Sequence, residues 1–140
     1  MPVQDDALAV LLAKQAITEQ LHRYCHGLDR FDRAMASIWH PGGTASYGPD
    51  IFEGTGEGFL DWVWPVHEGF ETTSHQVTNI LIDVDGDSAT SETYVTVCLR
   101  SADADVTDRG RYSDVWSKRD GEWGVDARVF TDDIMQIVPR

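Results

Sequence analysis

The stretch HRYCHGLDRFD, residues 22–32, places two histidines, a tyrosine, a cysteine and two aspartates in eleven positions. Among them, Asp29 is the carboxylate best placed for chemistry, and an imidazole partner is offered by TTSHQVTN, residues 72–79. There His75 alternates with Val77 and so points to the same face as an apolar strand residue. If the two side chains met, the carboxylate would hold one ring nitrogen as a donor. The other nitrogen would then be left as a base working near neutral pH. Each residue also has a plainer reading: Asp29 facing water where a helix frays, and His75 as a satisfied structural histidine.

Other chemistries are less well supplied. His22 and His26 are four apart with Asp29 three further on, a spacing that would put three metal ligands on one helical face. A single helix rarely completes such a site and the glutamate of H-E-x-x-H is missing, so no metal is expected. The segment DVDGDSATSETY has its glycine at the fourth position and tyrosine at the twelfth, which does not fit a calcium loop. GTGEGF lacks the strand-to-helix context of a dinucleotide fingerprint. Chemistry without a cofactor is the expectation.

The elements that must position these residues follow from periodicity. From Asp5 to about Leu28 the residues Leu8, Leu11, Leu12, Ile17, Leu21, Tyr24 and Leu28 recur at helical spacing, with Asp5 or Asp6 as cap. Leu21, Tyr24 and Leu28 share the core-facing stripe, and Asp29 lies at its edge. A carboxylate at a helix C-terminus meets the unfavourable end of the dipole and needs a compensating partner if it is ionised near the core. Asp32 caps a short second helix, RAMASIWH, ended by Pro41-Gly42-Gly43. Short strands are expected around 45–47 and 51–53, and a third helix over 56–67. Long strands follow near 72–84, 89–102, 109–118 and 123–138, with Asp85-Gly86 and Asp120-Gly121 as tight hairpin turns. Helices first and strands afterwards predict an α+β fold.

Both faces of the long strands carry apolar residues: Val77 and Leu81 against Ile80, Ile82 and Val84, then Tyr94 and Cys98 against Val95, Val97 and Leu99. A one-sided antiparallel sheet should not look like this. The pattern predicts a curved sheet with helices on its concave face and another subunit on its convex face, where Val95, Val97 and Leu99 would lie. Asymmetric burial within one subunit would produce the same pattern.

The 140 residues suit a single domain, 1–140. A net charge of −13, spread along the chain, opposes nucleic acid and anionic membrane surfaces. Cys25 and Cys98 stand far apart with no signal peptide or bilayer-spanning apolar run, so free thiols in a cytoplasmic protein are expected. Trp39, Phe52, Phe59, Trp62, Trp64, Phe70 and Phe130 exceed what so small a core obviously needs, and any that reach a pocket would favour an apolar or aromatic small-molecule substrate.

Taken in order, Tyr24 followed by LDRFD, then IWHPGG, FEGTGEGFLDW, TTSHQVTN and GRYSDVWSKRDGEWGVDARV resemble the SnoaL-like branch of the nuclear transport factor 2-like superfamily. The nearest pattern is that of its aspartate–histidine lyases: scytalone dehydratase, hexachlorocyclohexane dehydrochlorinase and bile acid 7α-dehydratase. The resemblance implies a cone of helices in the concave face of a strongly curved, mainly antiparallel sheet, no cofactor, and a homo-oligomer, commonly a trimer. It makes His75 the base that takes a proton from carbon and Asp29 the carboxylate that orients it. Tyr24 would donate to a leaving group or carbonyl, Tyr47 would supply a further phenol, and Arg128 would reach into the pocket to balance negative charge. No second pocket histidine of the scytalone dehydratase kind is evident, and Cys98 stands where the bile acid enzyme has an acid. The expected activity is a dehydratase-type elimination. An isomerase or cyclase on the same scaffold and a non-catalytic binding domain are the alternatives.

Overall fold

The computed structural model describes residues 2–140, with side chains from Gln4 onward. The chain runs through α1 (Pro2–Arg30), α2 (Arg33–Ala36), β1 (Trp39–Ser46), β2 (Glu53–Thr55), α3 (Gly56–Glu68), β3 (Thr72–Asp85), β4 (Ser88–Arg100), β5 (Ala104–Arg119) and β6 (Glu122–Pro139). The six strands form one sheet in the order β2-β1-β6-β5-β4-β3, antiparallel throughout except where β1 runs parallel to β6. The fold is α+β, with α1 laid across β3 and β6 and α3 against β1 and β2. Among the described residues no helix is long and apolar enough to cross a membrane.

The core sits between helices and sheet. Ala13, Ile17, Leu21, Tyr24, Cys25 and Leu28 repeat at the spacing of one helix face and meet Ala89, Val95, Tyr112, Trp116, Trp123 and Val125 from the strands. Phe59, Leu60 and Val63 of α3 close one end. Gly27 lets α1 and α2 touch: a Cβ there would stand 2.4 Å from the backbone nitrogen of Ala36.

Three local expectations are corrected. The first helix starts at Pro2, not at Asp5, so neither Asp5 nor Asp6 is its cap. Proline suits a first helical turn, and Asp5 in that turn faces the favourable end of the dipole. The second helix stops at Ala36 rather than running to residue 40. Ile38 and Trp39 instead join β6, where the Val125 N–H donates to the Ile38 carbonyl at 2.9 Å. Pro41-Gly42-Gly43 then forms an irregularity inside β1, with Gly42 at φ 81°. Third, β5 begins at Ala104, five residues before Arg109.

The two-sided apolar pattern also has a different cause. Between Thr78 and Leu81 the pairing of β3 with β4 slips by one residue around Asn79, which holds a left-handed φ of 50°. This bulge turns Val77, Ile80, Ile82 and Val84 to the same inner face, all packed on the core, and leaves Leu81 76% exposed. On β4, Val95, Val97 and Leu99 face inward rather than lying on the convex side: Val95 is buried in the core, and Val97 and Leu99 line a cavity. Further bulges put an extra residue of β6, Asp133 and Asp126, opposite Arg109/Gly110 and Val115/Trp116 of β5.

Candidate active site

The site begins at the end of α1. Phe31 takes a left-handed φ of 54°, and the Asp32 N–H donates back to the Gly27 carbonyl at 2.9 Å, the bond of a Schellman-type helix end. Asp32 then caps α2, accepting from the Met35 N–H at 3.2 Å, as the sequence predicts. The Phe31 ring packs edge-on against Trp64 of α3, with centroids 5.8 Å apart. Asp29, one residue inside this fixed terminus, therefore has a defined direction.

That direction is β3. The Asp29 Oδ1 lies 2.6 Å from His75 Nδ1 and accepts from the Thr73 hydroxyl at 2.9 Å, while Oδ2 accepts the His75 backbone N–H at 2.8 Å. Partial burial alone would raise the Asp29 pKa. The hydrogen bonds from the His75 ring, the His75 backbone and Thr73, with the charge of His75, outweigh it and hold the carboxyl below its ordinary value. An ionised Asp29 keeps the proton on Nδ1 and so leaves Nε2 as the basic nitrogen of a neutral ring.

His75 opens onto a cavity of about 210 Å³, lined on one side by Tyr24, Leu28, Tyr47, Phe59 and Val63 and on the other by Val97, Leu99, Val106 and Phe130. Ile51, Trp62, Val66 and Met135, all partly exposed, also line it. Of the aromatic residues singled out in the sequence, Phe59, Trp62, Phe70 and Phe130 reach the cavity, whereas Trp39, Phe52 and Trp64 pack against the core behind it. The volume is below the roughly 300–1,000 Å³ of sites for drug-sized ligands, which suits a small molecule of one or two rings.

Tyr24 and Tyr47 meet in the wall with their hydroxyls 3.0 Å apart. Burial raises both phenols above the ordinary value, the nearby Arg128 charge opposing the rise. They are therefore neutral. One hydroxyl proton joins the pair, and the other is free for a ligand.

Arg128 is placed differently from the sequence expectation. It does not line the cavity. It lies directly opposite Asp114 in the β5–β6 ladder, and the fork closes on that carboxylate at 2.8 and 2.9 Å, both side chains 0% exposed. Tyr112 and Tyr24 cover the guanidinium at 3.8 and 4.6 Å. The correction has a simple cause: a buried carboxylate in register satisfies a planar cation better than an apolar cavity does. Arg128 acts on the phenols from behind.

Two cavity residues escaped the sequence reading. His67, on α3, is 7% exposed, its ring 5.2 Å from that of His75, and its Nδ1 has no hydrogen-bond partner. Burial first, then the charge of His75, push it down to about 4, so it is neutral at pH 7. The signal was present, since His67 follows Val63 by four residues and Phe59 by eight, on the same helix face. The other is Asp108, which also lines the cavity. It fell one residue outside the expected strand, although it shares the inward alternation of Gly110, Tyr112 and Asp114 on β5. Cys98, by contrast, is exposed, and Cys25 is buried, which pushes its thiol up to about 12. His22 and His26 are exposed on α1 while Asp29 turns to His75. Among the described residues no three His, Cys, Asp or Glu side chains gather as metal ligands would.

Comparison with known proteins gives a consistent family. Residues 9–129 match the model of the SnoaL-like domain. No curated protein matches the chain. Among solved structures, a candidate scytalone dehydratase from Novosphingobium aromaticivorans DSM 12444 is 25% identical, over 90% of this chain and 87% of its own, with a TM-score of 0.81. The hexachlorocyclohexane dehydrochlorinase LinA-type3 of Novosphingobium barchaimii LL02 shares the fold at 20% identity, 94% coverage of each chain and a TM-score of 0.82. A protein of unknown function from Mycobacterium tuberculosis is 26% identical over 95% of this chain and 76% of its own, with a TM-score of 0.76.

Proposed function

As the chain belongs to the SnoaL-like family, we propose that it is a cofactor-independent lyase, eliminating water or another small group from a small, apolar, ring-containing molecule. The observation that carries this reading is the 2.6 Å pair of Asp29 and His75, with His75 at the wall of a largely apolar cavity. In this reading Nε2 of His75 removes a proton from carbon. Asp29 fixes the ring and stabilises the imidazolium that forms. One of the paired phenols, Tyr24 or Tyr47, donates to an oxygen of the substrate while the other supports it, and Arg128, from behind, favours negative charge at that oxygen. Two of the structural relatives bear names that denote eliminations, of water and of hydrogen chloride, which supports the reaction class.

The test uses 3-hydroxycyclohexanone as probe and follows its conversion to cyclohexenone by absorbance. His75→Gln keeps shape but lacks the base, and is expected to lower turnover by about two to four orders of magnitude with KM little changed. Asp29→Asn should lose part of that, because an amide still holds the ring but does not stabilise its charge. A folded, fully active His75→Gln protein would exclude the proposed base. Conversion of 3-cyclohexenone to 2-cyclohexenone without dehydration of the hydroxy ketone would select the isomerase alternative, and tight binding of the probe without conversion the binding-domain alternative.

A further inference from the structure

His75, Val97 and Asp108 are successive partners across three adjacent strands: His75 of β3 pairs with Val97 of β4, and Val97 with Asp108 of β5. All three line the same cavity. Two strand spacings, about 10 Å between backbones, separate the ends of this row, a span that a substituted six-membered ring bridges. The floor of the cavity thus carries a base at one end, an apolar residue in the middle and a carboxyl at the other end.

One oxygen of Asp108 is left out of the protein's own polar network. Its Oδ1 is shielded from solvent and has no hydrogen-bond partner. Beside it stands a second acid: Asp132 lies opposite Gly110 on β6, one step diagonally from Asp108. Burial first, then the hydrogen bond and charge of Asp132, push Asp108 up to about 7, with the Arg109 backbone N–H opposing. Two carboxyls this close hold one proton between them. Asp108 borders the cavity and Asp132 is exposed, so the proton has a path from solvent to the cavity wall. His67, more than nine-tenths buried in the same cavity with Nδ1 unpartnered, is a second polar group that the protein leaves unsatisfied. Unmet hydrogen bonds at two places in one apolar cavity belong to what it binds.

The geometry points to Asp108 as the acid of the elimination, donating its proton to the departing oxygen of a cyclic β-hydroxy ketone. The acidic C–H of that substrate faces His75, and its carbonyl faces Tyr24 and Tyr47. The assignment rests on the lyase reading above. His75 takes the proton on the carbon beside the carbonyl, and the C–H electron pair becomes the new C=C bond. The C–O bond breaks with its pair on oxygen, which takes the Asp108 proton and leaves as water. His75 then returns its proton to solvent, and Asp108 regains one through Asp132. The titratable groups that share the cavity with Asp108 are His67 from α3, His75 from β3 and the phenols of Tyr24, Tyr47 and Tyr112, with Asp132 beside it on β6 and Asp29 behind His75 on α1.

Two measurements read acid and base apart. In ligand-free protein carrying ¹³C-labelled aspartate carboxyls, one resonance, absent from Asp108→Asn, should titrate with a midpoint near 7 and fall in Asp132→Asn. An Asp108 carboxyl already ionised at about pH 5 overturns the proposal. The second measurement compares dehydration of 3-hydroxycyclohexanone with deuterium exchange of cyclohexanone in D₂O, which needs the base but no leaving group. Asp108→Asn should slow dehydration at least about 100-fold and exchange less than about 10-fold. No loss in dehydration, or equal losses in both reactions, overturns the assignment. Exchange that persists in His75→Gln counts against the base of the lyase reading and not against Asp108. Folding is not the obstacle, since Asn removes one of two repelling acids. With its folded pKa raised, Asp108 contributes stability present below its unfolded value and lost as pH rises through about 7. The variant lacks that loss and should melt at or above wild type at pH 8.

Discussion

Asp29 accepts three hydrogen bonds and Arg128 donates two to a single carboxylate, yet the two residues differ in what their removal should do. His75 borders a cavity and Asp29 holds it from behind, so their loss is read in chemistry. Arg128 and Asp114 are sealed, so their loss is read in stability. Arg128→Leu leaves Asp114 buried and unpaired and should cost about 3–5 kcal/mol in urea denaturation. Combining it with Asp114→Leu should restore much of this, because two apolar side chains leave no stranded charge. Equal destabilisation of the single and double variants would show that the rings of Tyr24 and Tyr112 over the guanidinium, rather than the ion pair, need Arg128 there.

At the scale of elements, two non-glycine residues in left-handed conformation decide where the chemistry points. Phe31 ends α1 so that Asp29 faces β3, and its packing on Trp64 offsets the strain of its φ. Asn79 shifts the register of β3 downstream of His75, so that both the His75 half and the Ile82 half of a strongly bent strand face the helices. Asparagine tolerates this conformation, whereas a β-branched residue does not. Asn79→Val should therefore cost about 1–2 kcal/mol, and Asn79→Gly should stay within about 0.5 kcal/mol of wild type. Chemical denaturation of the pair checks this, and a neutral valine variant would mean that the bulge is dispensable.

For the whole molecule the question is assembly. With Val95, Val97 and Leu99 turned inward, the outer face retains Leu81, Tyr94, Val115 and Val129, each 47–76% exposed. Leu81, Val115 and Val129 line one shallow depression of that face. We propose that self-association, as a trimer, covers this patch. Light scattering at micromolar concentration should report the trimer, and Val115→Glu should shift it toward monomer without loss of secondary structure. A wild-type monomer would remove the expectation.

Helix and strand periods depend on neighbours in the chain. They were legible without coordinates: the stripe Leu21, Tyr24 and Leu28, the cap at Asp32, the turn at Asp120-Gly121, the α+β order, and Asp29 and His75 as facing candidates. The other hairpin turns one residue later than expected, at Gly86-Asp87. The quoted motifs carried the family, and the match of residues 9–129 agrees with it. Contacts between residues far apart in sequence were decided only on folding. Asp114 claims Arg128 because the β5–β6 register sets them opposite, and no local pattern announces which carboxylate a buried arginine will find. Alternation divides a strand into two faces without saying which is the inner one, so Val97 was put outside although the register sets it beside His75, and Asp108, one residue before the expected strand, was missed. His67 was readable as a core-face helix residue. Its place beside His75 needed the packing of α3 against the sheet, because burial and the pKa values that follow from it are properties of the assembled interior rather than of the chain.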